Sequence, residues 1–230
     1  MVANRCYREF HLSPMLLPWR LICIVLTAAL LSYATLSMGI SSISADESGL
    51  EVATFAGGCF WCVESDFDHV YGVTRVISGY TGGTAENANY QRVSAGGTGH
   101  REAVQIFFDP KKVTYAALLE IFWRSIDPTD EGGQFCDRGD SYTTAILTNS
   151  PEQKRLAEES RQRLEQANIL PESIATAIEV SRPFYPAEDY HQNYDKKNPL
   201  RYKLYRRGCG RDARVKNLWG NEAHRGIERN

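Results

Sequence analysis

Beyond residue 45 the apolar positions fall into short β-rich or alternating runs at 51–55, 73–80, 103–108, 143–147 and 175–180, and these read as strands. Two other stretches carry helical spacing. In the first, Leu118, Phe122 and Ile126 recur every four residues beside Leu119 and Trp123, which makes one apolar face. The second opens Ser150-Pro151-Glu152-Gln153: a capping Ser, Pro at the first helical position and Gln at the third. Leu156, Ser160, Leu164 and Ala167 then form its inner face. A further short helix begins after Phe60. Glycine and asparagine crowd residues 79–99, which read as a long loop. Residues 199–230, rich in Arg, Lys and Gly, read as an irregular tail. Strands and helices alternate without the regular lengths of a doubly wound fold. The pattern predicts one α+β domain over residues 46–230, a two-layer α/β sandwich with a mixed sheet, packed helices and an irregular C-terminal tail.

The first 45 residues stand apart. Arg5, Arg8 and Arg20 precede an uncharged run over residues 21–39, and Ile43-Ser44-Ala45 follows. A basic start, an apolar middle and a small-residue exit describe a secretory signal peptide. The run is also long enough to span a bilayer, so an uncleaved N-terminal membrane anchor is the alternative. Either reading predicts an exported, periplasmic or membrane-anchored protein.

Composition narrows the function classes. The 230 residues are 43% hydrophobic and 23% charged, which excludes a disordered or collagen-like chain. The net charge is −2. Residues 1–45 hold three basic side chains and one acidic, leaving 23 and 27 in the rest and a net charge of −4 there. No basic excess exists to neutralise a phosphate backbone, which argues against nucleic acid as a partner. No feature demands an oligomer.

Four cysteines remain after residue 45: Cys59, Cys62, Cys136 and Cys209. A domain of this size buries a sufficient core without disulfide staples, so the cysteines invite another explanation. Gly57-Gly58-Cys59-Phe60-Trp61-Cys62 joins a predicted strand to a predicted helix. A thiol at a helix N-terminus meets unpaired N–H groups and the positive end of the helix dipole, which predicts a lowered pKa for Cys59. Phe60 and Trp61 add two aromatic faces beside the sulfur. Such a site suits a small apolar group attached to an electrophilic atom. Cys62 and Cys136 read equally well as small buried hydrophobes. A second C-x-x-C pair is absent, and Cys136, Cys209, His100 and His191 are too scattered to suggest zinc.

Several polar groups are candidates beside the thiol. Glu102 begins a strand after the glycine loop; next to aromatics its carboxyl would be desolvated, stay protonated and donate a proton. Tyr90 lies in that loop and Tyr142 opens a strand, and either phenol could stabilise a developing oxyanion or simply pack. Asp137 sits in Gln134-Phe135-Cys136-Asp137-Arg138-Gly139, where capping the loop is the plain role. The segment 184–194 holds too many polar aromatics for a core element, yet specifies no chemistry by itself.

Together these blocks resemble the type A peptide-methionine sulfoxide reductases. The resemblance runs through GGCFWCVE at 57–64, SGYTGG at 78–83, GHREAV at 99–104, Asp127-Pro128-Thr129, GGQFCDRGDSY at 132–142 and FYPAEDYHQ at 184–192. It implies reduction of the S epimer of methionine sulfoxide, free or in proteins, with no metal or organic cofactor. It makes Cys59 the nucleophile and Glu102 the acid, with Tyr90 and Tyr142 as donors to the sulfoxide oxygen. Phe60 and Trp61 would hold the substrate methyl group, and Asp137 would orient the substrate. Cys59 would become a sulfenic acid and then a disulfide with a second thiol, recycled by thioredoxin or an equivalent dithiol. Family practice points to Cys209 as the resolving thiol, with Cys62 the local alternative. Two rival readings are a general dithiol–disulfide oxidoreductase built on Cys59 and Cys62, and a non-enzymatic zinc or peptide-binding module.

Overall fold

The computed structural model describes residues 49–228. The expected signal peptide or anchor lies outside them. Among the described residues no helix is long and apolar enough to cross a membrane.

Eight strands form: β1 (Glu51–Gly57), β2 (Val73–Thr81), β3 (Arg101–Phe108), β4 (Gly133–Gln134), β5 (Asp137–Arg138), β6 (Thr144–Thr148), β7 (Ala177–Val180) and β8 (Phe184–Pro186). Six of them build one sheet in the order β7-β6-β1-β3-β2-β8, while β4 and β5 pair separately. All neighbours in the large sheet are antiparallel except β6 and β7, so the sheet is mixed as expected. Alternation sets its faces. Ala53 and Phe55 of β1, Val104, Ile106 and Phe108 of β3, and Ile146 of β6 join the main core, whereas Ala56, Ala103, Ala145 and Leu147 form a smaller cluster.

Helices supply the other layer. The helix α1 (Phe60–Asp68) follows β1 through Gly58, whose φ of +80° suits glycine; a Cβ there would lie 2.5 Å from Cβ of Gln134. The short α2 spans Tyr90–Ala95, and α3 spans Tyr115–Trp123. Thr114 caps α3 by accepting the Ala117 N–H, and Leu118, Leu119, Phe122 and Trp123 are buried. Each such fully buried side chain contributes roughly 1.5–3 kcal/mol. The helix α4 (Pro151–Ala167) has the predicted cap, Ser150 accepting from Gln153 N. Its buried face is Gln153, Ala157, Ser160 and Leu164; Ala167 is exposed, because the helix ends there on Asn168 in the left-handed conformation. Trp123 donates to Ser160 Oγ at 3.0 Å, joining α3 to α4.

Two expectations need correction. The glycine-rich stretch is not a plain loop: it contains the end of β2, a 3-10 turn at Ala85–Asn87, and α2, which Asn89 caps by accepting from Arg92 N at 3.1 Å. Nor is the tail irregular. After the short α5 (Tyr194–Lys197), it folds as α6 (Pro199–Gly208) and α7 (Arg211–Trp219). Its inward positions include arginines, so hydropathy hides the period. Arg206 is buried with Tyr202, and Arg211 with Val215 and Trp219. Arg206 pairs with Asp66 at 2.9 Å, Arg214 pairs with Asp127 at 2.7 Å, and Trp219 donates to the Ile126 carbonyl.

Gly79 marks where the segment 184–194 is pinned to the sheet. A Cβ there would stand 2.4 Å from Phe184 and 2.5 Å from the Tyr185 carbonyl oxygen. Gly79→Ala is therefore expected to destabilise the domain by about 1–3 kcal/mol in urea unfolding, as overpacking does, with faster amide exchange at Tyr185. An unchanged midpoint would show that β8 yields freely.

Candidate active site

The N-terminal turn of α1 is the centre of the site. Cys59 is the N-cap of α1 and only 5% exposed. It opens onto a small cavity of about 50 Å³ lined also by Phe60, Trp61, Tyr90, Glu102, Asp137, Tyr142 and Tyr205. Six separate segments contribute: α1, the start of α2, β3, β5, a 3-10 turn at Asp140–Tyr142 and α6. All seven residues expected to act or bind, from Cys59 to Tyr142, thus line one space. Tyr142 ends the 3-10 turn and does not open β6, which starts at Thr144.

Glu102 occupies the first inward position of β3, in one row with Val104, Ile106 and Phe108, and is 2% exposed. It accepts the Phe60 N–H at 2.9 Å. Burial pushes its carboxyl up to about 8, with Asp137 and Cys62 adding in the same direction against that hydrogen bond. Burial likewise raises Asp137, Tyr90 and Tyr142, so the phenols keep their protons. The cavity therefore holds a neutral acid and two phenol donors around one sulfur.

The expected lowering of Cys59 is not what the structure gives. Burial raises the thiol well above its ordinary value, reinforced by its hydrogen bond to Cys62 and by Cys62, Glu102 and Asp137. The helix N-terminus is present, but a dry pocket with two carboxyls outweighs it. Cys62, 2% exposed behind the pocket, shifts the other way. The hydrogen bond from Cys59 lowers it against burial, and Arg211 and Arg206 lower it further.

Cys209 is not beside Cys59 as a free thiol. It is disulfide-bonded to Cys136, while Cys59 and Cys62 are free. The reason is placement: Cys209 ends α6 and Cys136 lies in the β4–β5 turn, with Cα atoms 4.8 Å apart. Cys136 is exposed, which also rules out its reading as a small buried hydrophobe. Among the described residues one set of possible metal ligands clusters, Cys136, Asp137 and Cys209, and its two sulfurs are joined to each other.

The sequence reading missed four contributors. Tyr205 donates to Asp137 Oδ2 and meets Trp61 edge-on. Tyr194 stacks on Trp61 at 3.8 Å. Nδ1 of His191 accepts from Trp61 Nε1 at 2.9 Å, and burial lowers the imidazole, so it stays neutral. Glu188 accepts from Tyr90 N and Tyr80 Oη. Three of these lie in the aromatic segment 184–194, whose excess of polar aromatics was the available signal. Tyr205 lay in the tail, where no signal pointed to it.

The family model described as peptide methionine sulfoxide reductase matches residues 51–223. The chain belongs to this family. It is 54% identical over 172 residues to the peptide methionine sulfoxide reductase MsrA of Bacillus licheniformis, covering 75% of this chain and 95% of that one. Identity to the Bacillus subtilis MsrA is 54% over 170 residues, covering 74% and 96%. Among solved structures, methionine sulfoxide reductase A of Corynebacterium diphtheriae is similar at 32% identity and a TM-score of 0.60, over 66% of this chain and 77% of that one. Reduced Mxr1 of Saccharomyces cerevisiae is similar at 30% identity and a TM-score of 0.58, over 69% and 91%. The reductase is thus an oxidoreductase acting on sulfur, and its α+β fold is the family's.

The Glu102 titration is directly measurable. A buried acid with a raised pKa costs the folded state nothing below its unfolded value. Its contribution then falls as pH rises from about 4.5 to about 8, where the folded carboxyl ionises. Glu102→Gln removes that loss, so the stability difference, variant minus wild type, should grow over this window and level off above it. Parallel stability curves would mean that Glu102 is ionised at neutral pH.

Proposed function

We propose that the chain reduces the S epimer of methionine sulfoxide, free or in oxidised proteins, with Cys59 as nucleophile and Glu102 as acid. One observation carries this reading: a single thiol, the neutral carboxyl of Glu102 and the phenols of Tyr90 and Tyr142 line one small aromatic cavity. Phe60 and Trp61 offer the apolar wall for the substrate methyl group, and Asp137, held by Tyr205, orients the rest. Tyr90, Tyr142 and Glu102 donate to the sulfoxide oxygen. As Glu102 passes its proton to that oxygen, the Cys59 proton returns to the carboxylate. The Cys59 sulfur attacks the substrate sulfur and an S–S bond forms; the protonated oxygen then passes to the Cys59 sulfur, so the substrate S–O bond and the S–S bond both break, a Cys59 S–O bond forms and methionine leaves. Cys59 is oxidised to a sulfenic acid, and Glu102 ends as it began.

Cys62 is the better resolving thiol. It is free and hydrogen-bonded to Cys59, whereas Cys209 is held by Cys136. The disulfide between Cys59 and Cys62 is then reduced by a dithiol protein of the thioredoxin type. The leader-like residues 1–45 support export or membrane anchoring, and the Cys136–Cys209 disulfide agrees with an oxidising compartment.

Single-turnover assays with separate epimers test the reading. The S epimer should yield one methionine per reduced wild-type protein and none with Cys59→Ser. Glu102→Gln should slow product formation by about 10²-fold or more. Consumption of the R epimer, or product from Cys59→Ser, would overturn it. A general dithiol oxidoreductase would instead reduce insulin disulfides and be indifferent to Glu102→Gln.

A further inference from the structure

Glu64 is a carboxyl that the proposed reaction does not use, buried in α1 to 1% exposure. It stands three residues beyond Trp61, so the two side chains are neighbours on the helix. Both reach the same short segment. Trp61 Nε1 donates to Nδ1 of His191 at 2.9 Å, and the Trp61 ring stacks on Tyr194 with centroids 3.8 Å apart and planes 6° from parallel. Glu64 Oε1 accepts the Asn193 N–H at 3.0 Å. The residue that Glu64 holds therefore lies between the two that hold Trp61.

Asn193 is where this segment bends. It takes a left-handed φ of +53° and leads into α5. On the other side of the bend, Gln192 fixes the segment to β2, accepting the Ser78 N–H at 3.0 Å and donating to the Ser78 carbonyl at 2.9 Å. Two further bonds join α1 to α5. Ser65 Oγ donates to Asp195 at 3.0 Å, and Lys196 Nζ, on a side chain 56% exposed, donates to Asp68 at 2.6 Å. An ion pair that reaches solvent contributes little. The Glu64 bond differs, because its acceptor lies in the interior. Without that oxygen the Asn193 N–H would face buried surface unpaired, and the bend would have to shift to satisfy it.

We propose that Glu64 is a positioning residue for substrate binding: by holding the Asn193 N–H it fixes the bend that sets His191 and Tyr194 against Trp61, and so fixes the wall that receives the substrate methyl group. The inference rests on the reading of Trp61 as part of that wall. The acid Glu102 and the donor Tyr142 come from β3 and from the 3-10 turn at Asp140–Tyr142, outside this contact. An apolar wall touches the methyl group in the bound substrate and in the transition state alike. Displacing it therefore weakens binding and leaves the chemical step nearly as fast.

The test separates binding from chemistry. Full-length reduced protein is mixed with rising concentrations of the S epimer of methionine sulfoxide. Methionine formed in the first turnover then gives a limiting rate and a half-saturating concentration. Glu64→Met keeps the reach of the side chain and removes the acceptor oxygen. Its half-saturating concentration should rise about fivefold or more, while its limiting rate stays within about twofold of wild type. Glu64→Gln keeps an acceptor oxygen, and both quantities should stay within about twofold. Tyr194→Leu should also weaken saturation. The double variant Glu64→Met/Tyr194→Leu should bind no worse than the weaker single variant, because both act through Trp61. If Glu64→Met fails to fold, Glu64→Leu takes its place. Wild-type saturation in the folded variant, a loss confined to the limiting rate, or effects that multiply in the double variant would each overturn the proposal. Trp61→Leu serves as the reference. If it saturates like wild type, Trp61 is no wall of the substrate pocket, and the role of Glu64 goes with it. If it binds weakly while Glu64→Met binds normally, only the role of Glu64 is lost.

Discussion

The hydrogen bond from the Phe60 N–H to the Glu102 carboxyl joins the N-terminal turn of α1 to the inward row of β3. Most of the site's chemistry depends on what that bond does and does not do. A carboxylate accepting two or three backbone N–H groups can remain ionised when buried; one accepting a single bond in a dry pocket does not. Glu102 therefore stays neutral and retains a proton to give. The cations respect this arrangement. Arg211 and Arg206 bear on Cys62, while the groups that bear on Glu102 are acidic. An arginine facing Glu102 would ionise it and abolish the acid.

The same turn separates two thiols three residues apart. On a helix, residues at that spacing are neighbours on one face, and Cys59 hydrogen-bonds to Cys62. Cys59 faces two carboxyls in the cavity, while Cys62 faces the arginines of the tail. Burial acts on both, so the difference comes first from the hydrogen bond between them, which raises Cys59 and lowers Cys62, and then from neighbouring charge. One sulfur is held as a thiol until an electrophile arrives. The other is held ready to lose its proton.

How much of this was legible follows from where the period is visible. The five strand runs and both main helices were readable because their inward positions are apolar, as in the β3 row Val104, Ile106 and Phe108. Glu102 continues that row by two residues, so its burial was implicit in the alternation. The tail helices were not readable, since Arg206 and Arg211 occupy inward positions and read as solvent-facing. The Cys59 shift was misjudged because a sequence displays the helix N-terminus but not the depth of the pocket above it. The pairing of Cys136 with Cys209 spans 73 residues, and no local pattern announces it. The seven site residues came together as expected because the resemblance supplied what spacing could not.

That long-range disulfide acts on the pocket walls. Cys136 precedes Asp137, and Cys209 lies one helical turn beyond Tyr205, whose hydroxyl holds Asp137. The covalent bond and the hydrogen bond thus clamp the same two elements together. Closing a loop of this length restricts the unfolded chain by about 4 kcal/mol, which bears on stability. Its local effect is different: it fixes the distance between α6 and the β4–β5 hairpin. A cavity of about 50 Å³ assembled from six segments tolerates little relative movement. Near the C-terminal end of α6, Arg206 holds the helix to Asp66 of α1, so one ion pair and one disulfide secure the turn that follows Tyr205. The tail thereby fixes the wall that orients substrate and brings the charges that set the second thiol.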